Sequence, residues 1–302
     1  MKIIVKREKV KVKEFIKNEV IYSSDNLIKN PIVSIILPTY CRGDNGLLKR
    51  SIKSILEQEF TDWELIIVDD GSIDSTKDIV KSFMKQDNRI VYIRNEINSG
   101  LPAIRVNQGI LHARGKYIAY QFDDDYLYSN MLMDLYREIK KLNEASVVYG
   151  KCKIINSIKK IENQFGREFN KSIIDKANII PNNAVLHNKE IPYLYGGYEC
   201  SIPFRRLSDW DLWRRWANYV PFIYVDKFVS VVEIEHEHSL TRTCNVYKNL
   251  LEEMQKINRC NELSLYNINE YEIDNIQIIN DKELRKNIID YDILPWYKNH
   301  KL

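Results

Sequence analysis

Two acidic turns, each fed by a short apolar run, constrain this chain more than anything else in it. Leu65-Ile66-Ile67-Val68 runs into Asp69-Asp70-Gly71-Ser72, and Tyr117-Ile118-Ala119-Tyr120 is soon followed by Asp123-Asp124-Asp125. Four apolar residues in a row, without polar alternation, read as a strand covered on both faces, the habit of parallel sheets. Carboxylates just past the carboxyl ends of parallel strands lie where open α/β sheets bind ligands. Two such clusters in one crevice repel each other unless a positive charge stands between them. A divalent cation carrying a diphosphate meets that need, which is the chemistry of a nucleotide-sugar site.

The surrounding pattern agrees with an α/β fold. Val33-Ser34-Ile35-Ile36-Leu37-Pro38 is a short buried strand ended by proline. Leu47, Leu48, Ile52, Ile55 and Leu56 recur at helical spacing within 46–58. Glu64 to Val68 is the next strand. Ser75 to Lys85 reads as a helix with Ile79, Val80 and Phe83 inward and Asp74 as its N-cap. A strand at Ile90 to Ile93, a helix over 102–114, a strand at Lys116 to Tyr120 and a helix from Asn130 to Leu142 follow. Such alternation predicts parallel βαβ units. It weakens after about residue 143, where Ser146 to Tyr149 reads as a strand and Arg205 to Asn218 as a tryptophan-rich helix.

Three segments are expected. Residues 31–240 form the main domain. Residues 1–30 carry eight Lys/Arg and four Asp/Glu; they read as a lead-in that packs on that domain or meets a partner, or more simply as a solvated extension. Residues 241–302, with helical spacing over 246–262 and 282–290, read as a mainly helical C-terminal extension.

Composition excludes several classes. A net charge of +3 over 302 residues is too small to argue for nucleic acid. No apolar run reaches the ~18 residues of a membrane span. The basic start Met1-Lys2-Ile3-Ile4-Val5 lacks the long apolar core of a signal peptide. Five scattered cysteines include no CxxC pair, so neither a zinc site nor a disulfide framework is expected. A cytoplasmic protein, free or at the inner face of the membrane, is the default.

Each motif has a plain reading beside the chemical one. Asp69-Asp70-Gly71 can be a solvated turn, or a carboxylate that accepts from a ribose hydroxyl or a base N–H. Asp123-Asp124-Asp125 can be an acidic surface turn, but three adjacent charges at a second strand end favour Mg²⁺ or Mn²⁺. In Ser208-Asp209-Trp210-Asp211, acids at a helix start suit the macrodipole. One of them can instead be a general base, with the neighbouring aromatics stacking on a sugar or filling the core. His236 and His238 share one face of a strand and could join a metal or diphosphate site. Arg105 is a solvated helical arginine or a contact to phosphate or base.

In this order the pieces resemble the family 2 glycosyltransferases with the GT-A fold, over roughly residues 32–240. Val33 to Tyr40 resembles the opening strand. Leu65 to Thr76 is nearly verbatim the second motif. Asn98-Ser99-Gly100, Arg105 to Ile110 and Ala113 to Ala119 resemble the stretch leading into the metal motif. The resemblance implies a Rossmann-like nucleotide-binding half with a mixed central sheet. It also implies inverting transfer of one sugar from a nucleotide diphosphate sugar, with Mn²⁺ or Mg²⁺ on the diphosphate. A UDP-sugar is the expected donor. The acceptor would be a cell-envelope glycan, capsule or protein, lipid-linked or free.

On that likeness Thr39, Tyr40, Asp70, Asp69, Arg105 and Asp123 would hold the nucleotide. Asp124 falls on the metal position, with Asp125 and His238 as further ligands. Asp123 or Asp125 would touch the ribose or donor sugar. Asp209 would be the base, and Trp210 and Asp211 would meet acceptor or sugar. Tyr193, Tyr195 and Tyr198 would line the acceptor groove. Two departures stand out. Counted without gaps from Gly115, the first acid of the family's Asp-x-Asp falls on Phe122, and the acid that often precedes the base is Ser208. Arg214-Arg215-Trp216 resembles the Arg-Trp motif of processive members, but with no membrane span to extrude a polymer, single transfer is expected. The competing classes are a nucleotidyltransferase on a similar fold, whose Gly-rich basic signature Thr39 to Asp44 lacks, and a non-catalytic sugar-nucleotide-binding module, which needs neither metal nor base.

Overall fold

The computed structural model describes residues 9–27, 30–156, 160–201, 204–234, 251–252 and 256–274. Its centre is a mixed ten-stranded sheet. Strands β3 (Val33–Thr39), β4 (Trp63–Asp69), β5 (Ile90–Arg94) and β6 (Tyr117–Tyr120) are mutually parallel, in the order β5-β4-β3-β6. The register pairs Thr39 with Asp69, so the turns that follow β3 and β4 leave the sheet side by side.

Side-chain alternation shows why these strands have no polar face. Val33, Ile35, Leu37, Trp63, Leu65 and Ile67 belong to one core, and Ile36, Ile66 and Val68 to the other. Successive residues of a strand point to opposite faces, so a strand covered on both sides must be apolar throughout. Helices α2 (Leu47–Leu56) and α3 (Thr76–Met84) cover the first face, through Leu48, Ile52 and Ile55 and through Ile79, Val80 and Phe83. Each fully buried aliphatic side chain contributes roughly 1.5–3 kcal/mol, far more than the surface charges of α2. Helix α4 (Pro102–His112) covers the second face. A Cβ on Gly109 would lie 2.5 Å from Ile36 Cγ2, so only glycine lets α4 approach β3 this closely.

The predicted helix at 75–85 begins at Thr76 with Ser75, not Asp74, at the N-cap and no side-chain cap bond; Asp74, one residue earlier, ties the turn together, its Oδ1 accepting from Thr76 N at 3.1 Å and its Oδ2 from Gly43 N at 2.9 Å. The strand expected at 146–149 continues as β8 (Val147–Asn156), paired with β9 (Ile161–Phe165). Beyond β6 the sheet turns mixed. β10 (Val185–Asn188) runs antiparallel between β6 and β8, and β11 (Phe222–Glu233) runs parallel to β8 and antiparallel to β7 (Tyr126–Leu127). Helix α5 (Met131–Ile139) packs under this half, and α8 (Ser208–Trp216) carries the tryptophans into the core.

The described residues bear on both ends of the chain. The lead-in is not wholly a solvated extension. β2 (Val20–Tyr22) pairs antiparallel with β5 at the sheet edge, and Val12 and Phe15 are buried. β1 (Lys9–Lys11) pairs with β12 (Glu272–Asp274). The C-terminal extension was expected to be mainly helical. Its described residues are helical only at 251–252 and in the 3₁₀ turn Ile268–Glu270, with turns over 260–263 and 265–267 and a strand at β12. The helix expected over 282–290 lies outside the described residues. No helix among the described residues is long and apolar enough to cross a membrane.

Candidate active site

The carboxyl ends of β3, β4 and β6 open onto a cavity of about 480 Å³. Thr39, Tyr40, Asp70 and Arg105 stand on its wall, as do Asp123, Asp124 and Asp125. Arg42, Arg205 and Glu233 complete its charged lining. The two acidic turns therefore face one space, and the residues expected on nucleotide and metal meet there, with two exceptions.

The first exception is Asp69. It is fully buried and absent from the cavity wall. Its Oδ2 accepts from Tyr92 Oη at 2.5 Å and its Oδ1 from Ser72 N at 2.8 Å. Gly71 takes φ +78° and turns the chain between them, a conformation that favours glycine. Asp69 thus braces the turn that presents Asp70. The second exception is His238, which with His236 lies outside the described residues.

Asp70 is held from three sides. Oδ1 accepts from Ser99 N at 2.8 Å and from Arg105 Nε at 2.6 Å, and Oδ2 from Gly100 N at 3.0 Å. A carboxylate has about four acceptor positions, so roughly one remains for a ligand. Arg105 is 0% exposed, and its guanidinium also donates to the carbonyls of Phe15 and Ile97 and to Gln108 Oε1. It orients Asp70, and four of its five N–H groups are engaged by protein acceptors.

The other turn carries three unlike acids. Asp123 Oδ2 accepts from Tyr40 N at 3.2 Å, and Arg42 Nε lies 3.6 Å from Oδ1. Burial, with Asp124 adding to it, pushes the Asp123 carboxyl up to about 7 despite Arg42. Asp125 is 7% exposed and accepts from Asn183 Nδ2 at 2.9 Å; burial and its two acidic neighbours hold its pKa well above the usual carboxylate range. The Asp124 carboxylate accepts no hydrogen bond and forms no ion pair among the described residues. Only its backbone carbonyl is bound, by Arg50 Nη2 at 2.8 Å.

Among the described residues no three His, Cys, Asp or Glu side chains converge on a common metal position. A hard cation that keeps one or two carboxylates and takes its remaining oxygens from a diphosphate needs no such cage. An unengaged carboxylate between two pinned ones, on a cavity wall, fits that mode of binding.

Helix α8 separates the other candidates. Asp209, in its first turn, is half-buried and accepts from Asn178 Nδ2 at 3.0 Å. Burial raises its pKa to about 6, against the pull of the Trp210 and Asp209 backbone N–H groups and Asn178. It does not line the cavity described above, although Arg205, four residues earlier, does. Asp211, expected near acceptor or sugar, is 0% exposed. Its Oδ2 accepts from Arg215 Nε at 2.8 Å and its Oδ1 from Arg259 Nη2. Trp210 is 6% exposed and donates Nε1 to the Ile174 carbonyl at 2.6 Å. Both belong to the core. Tyr193, Tyr195 and Tyr198 do not line the cavity either: Tyr195 stacks on Tyr219, and Tyr198 Oη donates to Asn182 Oδ1 at 2.6 Å.

Sequence reasoning passed over Arg42, Arg50, Asn183 and Glu233. A lone arginine on a helix and an asparagine in the short 3₁₀ helix Asn182–Ala184 carry no local signal. Their role comes from partners 47 to 183 residues away, between Asn183 and Ser230 at the near end and Arg50 and Glu233 at the far end, with Asp125 and Asp123 in between.

This arrangement is that of a nucleotide-sugar-dependent GT-A domain, and the chain belongs to glycosyl transferase family 2, whose model matches residues 34–209. It is similar to a GalNAc(5)-diNAcBac-PP-undecaprenol beta-1,3-glucosyltransferase of Campylobacter jejuni, 29% identical over 218 residues that cover 70% of this chain and 67% of that protein. It spans between 16% and 49% of the length of seven further curated relatives. The fold matches Staphylococcus aureus TarS 1-349 in complex with UDP-GlcNAc at a TM-score of 0.60 and 17% identity, over 88% of this chain and 77% of that one. It also matches the mannosyltransferase PcManGT of Pyrobaculum calidifontis, solved with GDP-Man and Mn²⁺, at 0.52 and 14% identity, over 95% and 88%.

Proposed function

We propose that this chain transfers one sugar from UDP-sugar to a hydroxyl of a lipid-linked or other cell-envelope glycan, with inversion at the anomeric carbon. The observation that carries the reading is the pair of acids on one cavity wall: Asp70, fixed with about one acceptor position open, and Asp124, whose carboxylate has no protein partner among the described residues. Asp70 and Tyr40 would take the nucleoside side of the donor. Asp124, with the neighbouring acids, would hold Mn²⁺ or Mg²⁺, and that cation would neutralise charge on the departing diphosphate. The UDP-GlcNAc and Mn²⁺ complexes of the structural neighbours support this choice.

Asp209 is the group we assign as base. With a pKa raised to about 6 it is ionised at neutral pH yet basic enough to accept a proton. It takes the acceptor's hydroxyl proton as that oxygen forms its bond to the anomeric carbon. The bond from that carbon to the diphosphate breaks on the opposite side, and the electron pair leaves with the nucleoside diphosphate. Acceptors linked to undecaprenyl diphosphate, as in the Campylobacter relative's name, would draw the enzyme to the cytoplasmic face of a membrane.

Calorimetric titration of UDP, GDP, CDP and dTDP, with and without Mn²⁺, tests the donor assignment. Metal-dependent binding of UDP alone is expected. Equal binding of all four, or of none, would remove the reading.

A further inference from the structure

The carbonyls of the acidic turn are gripped from beneath by two consecutive residues of α2 and one of the turn's own approach. Ser51 Oγ donates to Phe122 O at 2.9 Å, and Arg50 Nη2 donates to Asp124 O at 2.8 Å. Gln121 Nε2 reaches Asp125 O at 2.8 Å and Ser51 Oγ at 2.9 Å, which ties the two grips together. Arg50 extends further than Ser51. Its Nη1 is ion-paired with Glu233, on the cavity wall at the end of β11, and its guanidinium lies 4.9 Å over the Tyr126 ring.

A planar guanidinium can hold a carbonyl and a carboxylate at once in fixed directions; an ammonium cannot. Arg50 therefore fixes the Asp124 backbone relative to β11 without touching the Asp124 carboxylate. That carboxylate is left to project from a clamped main chain. Groups that orient a ligand-bearing residue from behind commonly govern metal affinity.

We propose that Arg50 is a positioning residue for the cation–diphosphate site, holding the acidic turn and Glu233 in the arrangement that lets Asp124 share a cation with the donor. This rests on the reading of Asp124 as the metal-binding acid. Two physical roles for Arg50 predict opposite signs. If it merely offsets the charge of nearby acids such as Glu233 and Asp125, its removal makes the site more negative and Mn²⁺ binds more tightly. If it positions the turn, its removal weakens Mn²⁺ even though a repelling charge has gone.

The test is calorimetric titration of Mn²⁺ into the protein held at fixed UDP, with thermal melting alongside, for wild type, Arg50→Gln, Arg50→Lys and Glu233→Gln. The expected result is a roughly 10-fold weaker Mn²⁺ affinity for Arg50→Gln, the low end for such a supporting residue. Glu233→Gln, which keeps the side chain's shape, should show a smaller loss, and Arg50→Lys incomplete rescue. Unchanged or tighter Mn²⁺ binding in Arg50→Gln overturns the proposal, whatever happens to the melting temperature. If Arg50→Gln does not fold, Glu233→Gln decides alone, and wild-type affinity in it is the overturning result. A wild-type protein that binds UDP without any Mn²⁺ dependence overturns the Asp124 reading itself, a different failure from a metal-dependent wild type matched by its variants.

Discussion

Arg105 lies fully buried behind Asp70, with Nε 2.6 Å from Oδ1 and the rest of its guanidinium bound to Phe15 O, Ile97 O and Gln108 Oε1. The pair joins three parts of the chain: the lead-in through Phe15, the turn after β4, and α4. On the proposed donor assignment, a buried cation in this position would serve the nucleotide through the carboxylate it orients.

Breaking that pair should therefore cost both stability and binding. Arg105→Met leaves a buried carboxylate with only two backbone donors, and removing one partner of a buried ion pair typically costs about 3–5 kcal/mol. Urea denaturation should show a loss of that order, and calorimetry a weakened UDP affinity at temperatures where the variant is folded. A variant with wild-type UDP affinity would mean that Asp70 needs no help from Arg105.

Asp209→Asn should lower kcat by at least ~100-fold, the lower range for a general base, with UDP affinity unchanged because the residue does not line the donor cavity. Steady-state rates beside a UDP titration would check it. Turnover near wild type would assign the base to another acid.

The raised pKa of Asp209 sets the sign of the pH dependence. The base must be ionised, so kcat/KM should fall on the acid side of about 6, by about tenfold per unit when one proton is taken up. The limb should vanish in Asp209→Asn, leaving only the residual rate. A profile flat down to pH 5 would contradict the assignment.

Asp124→Ala should abolish the part of UDP affinity that depends on Mn²⁺ while leaving the metal-free part intact. Titrations with Mn²⁺ and with a chelator measure the two parts. Full metal-dependent affinity in the variant would move the cation to Asp123 or Asp125.

Asp211→Ala should behave oppositely to Asp209→Asn. It strips Arg215 and Arg259 of a shared buried carboxylate, so a loss of about 3–5 kcal/mol in chemical denaturation is expected. UDP affinity should stay unchanged at temperatures where the protein is folded. Normal stability would mean the buried network is not coupled to folding.

The sequence by itself determined the strands β3 to β6, the helices between them, and the presence of two acidic turns at strand ends. Those properties are local: hydrophobic period and a glycine turn such as Gly71 are complete within a few residues. It also determined the family, because the motifs follow one another in one order. Only the tertiary structure decided what each acid does. Asp69 and Asp70 are neighbours in a motif, yet one braces the turn against Tyr92 and the other faces the cavity. Asp209 and Asp211 share a helical turn, yet Arg259, 48 residues beyond Asp211, draws the latter into the core. β2 likewise shows no strand pattern of its own and exists through pairing with β5, whose Arg94 lies opposite Val20. A carboxylate's role depends on which donors surround it, and here those donors arrive from elements far apart in the chain, where no local pattern can record them.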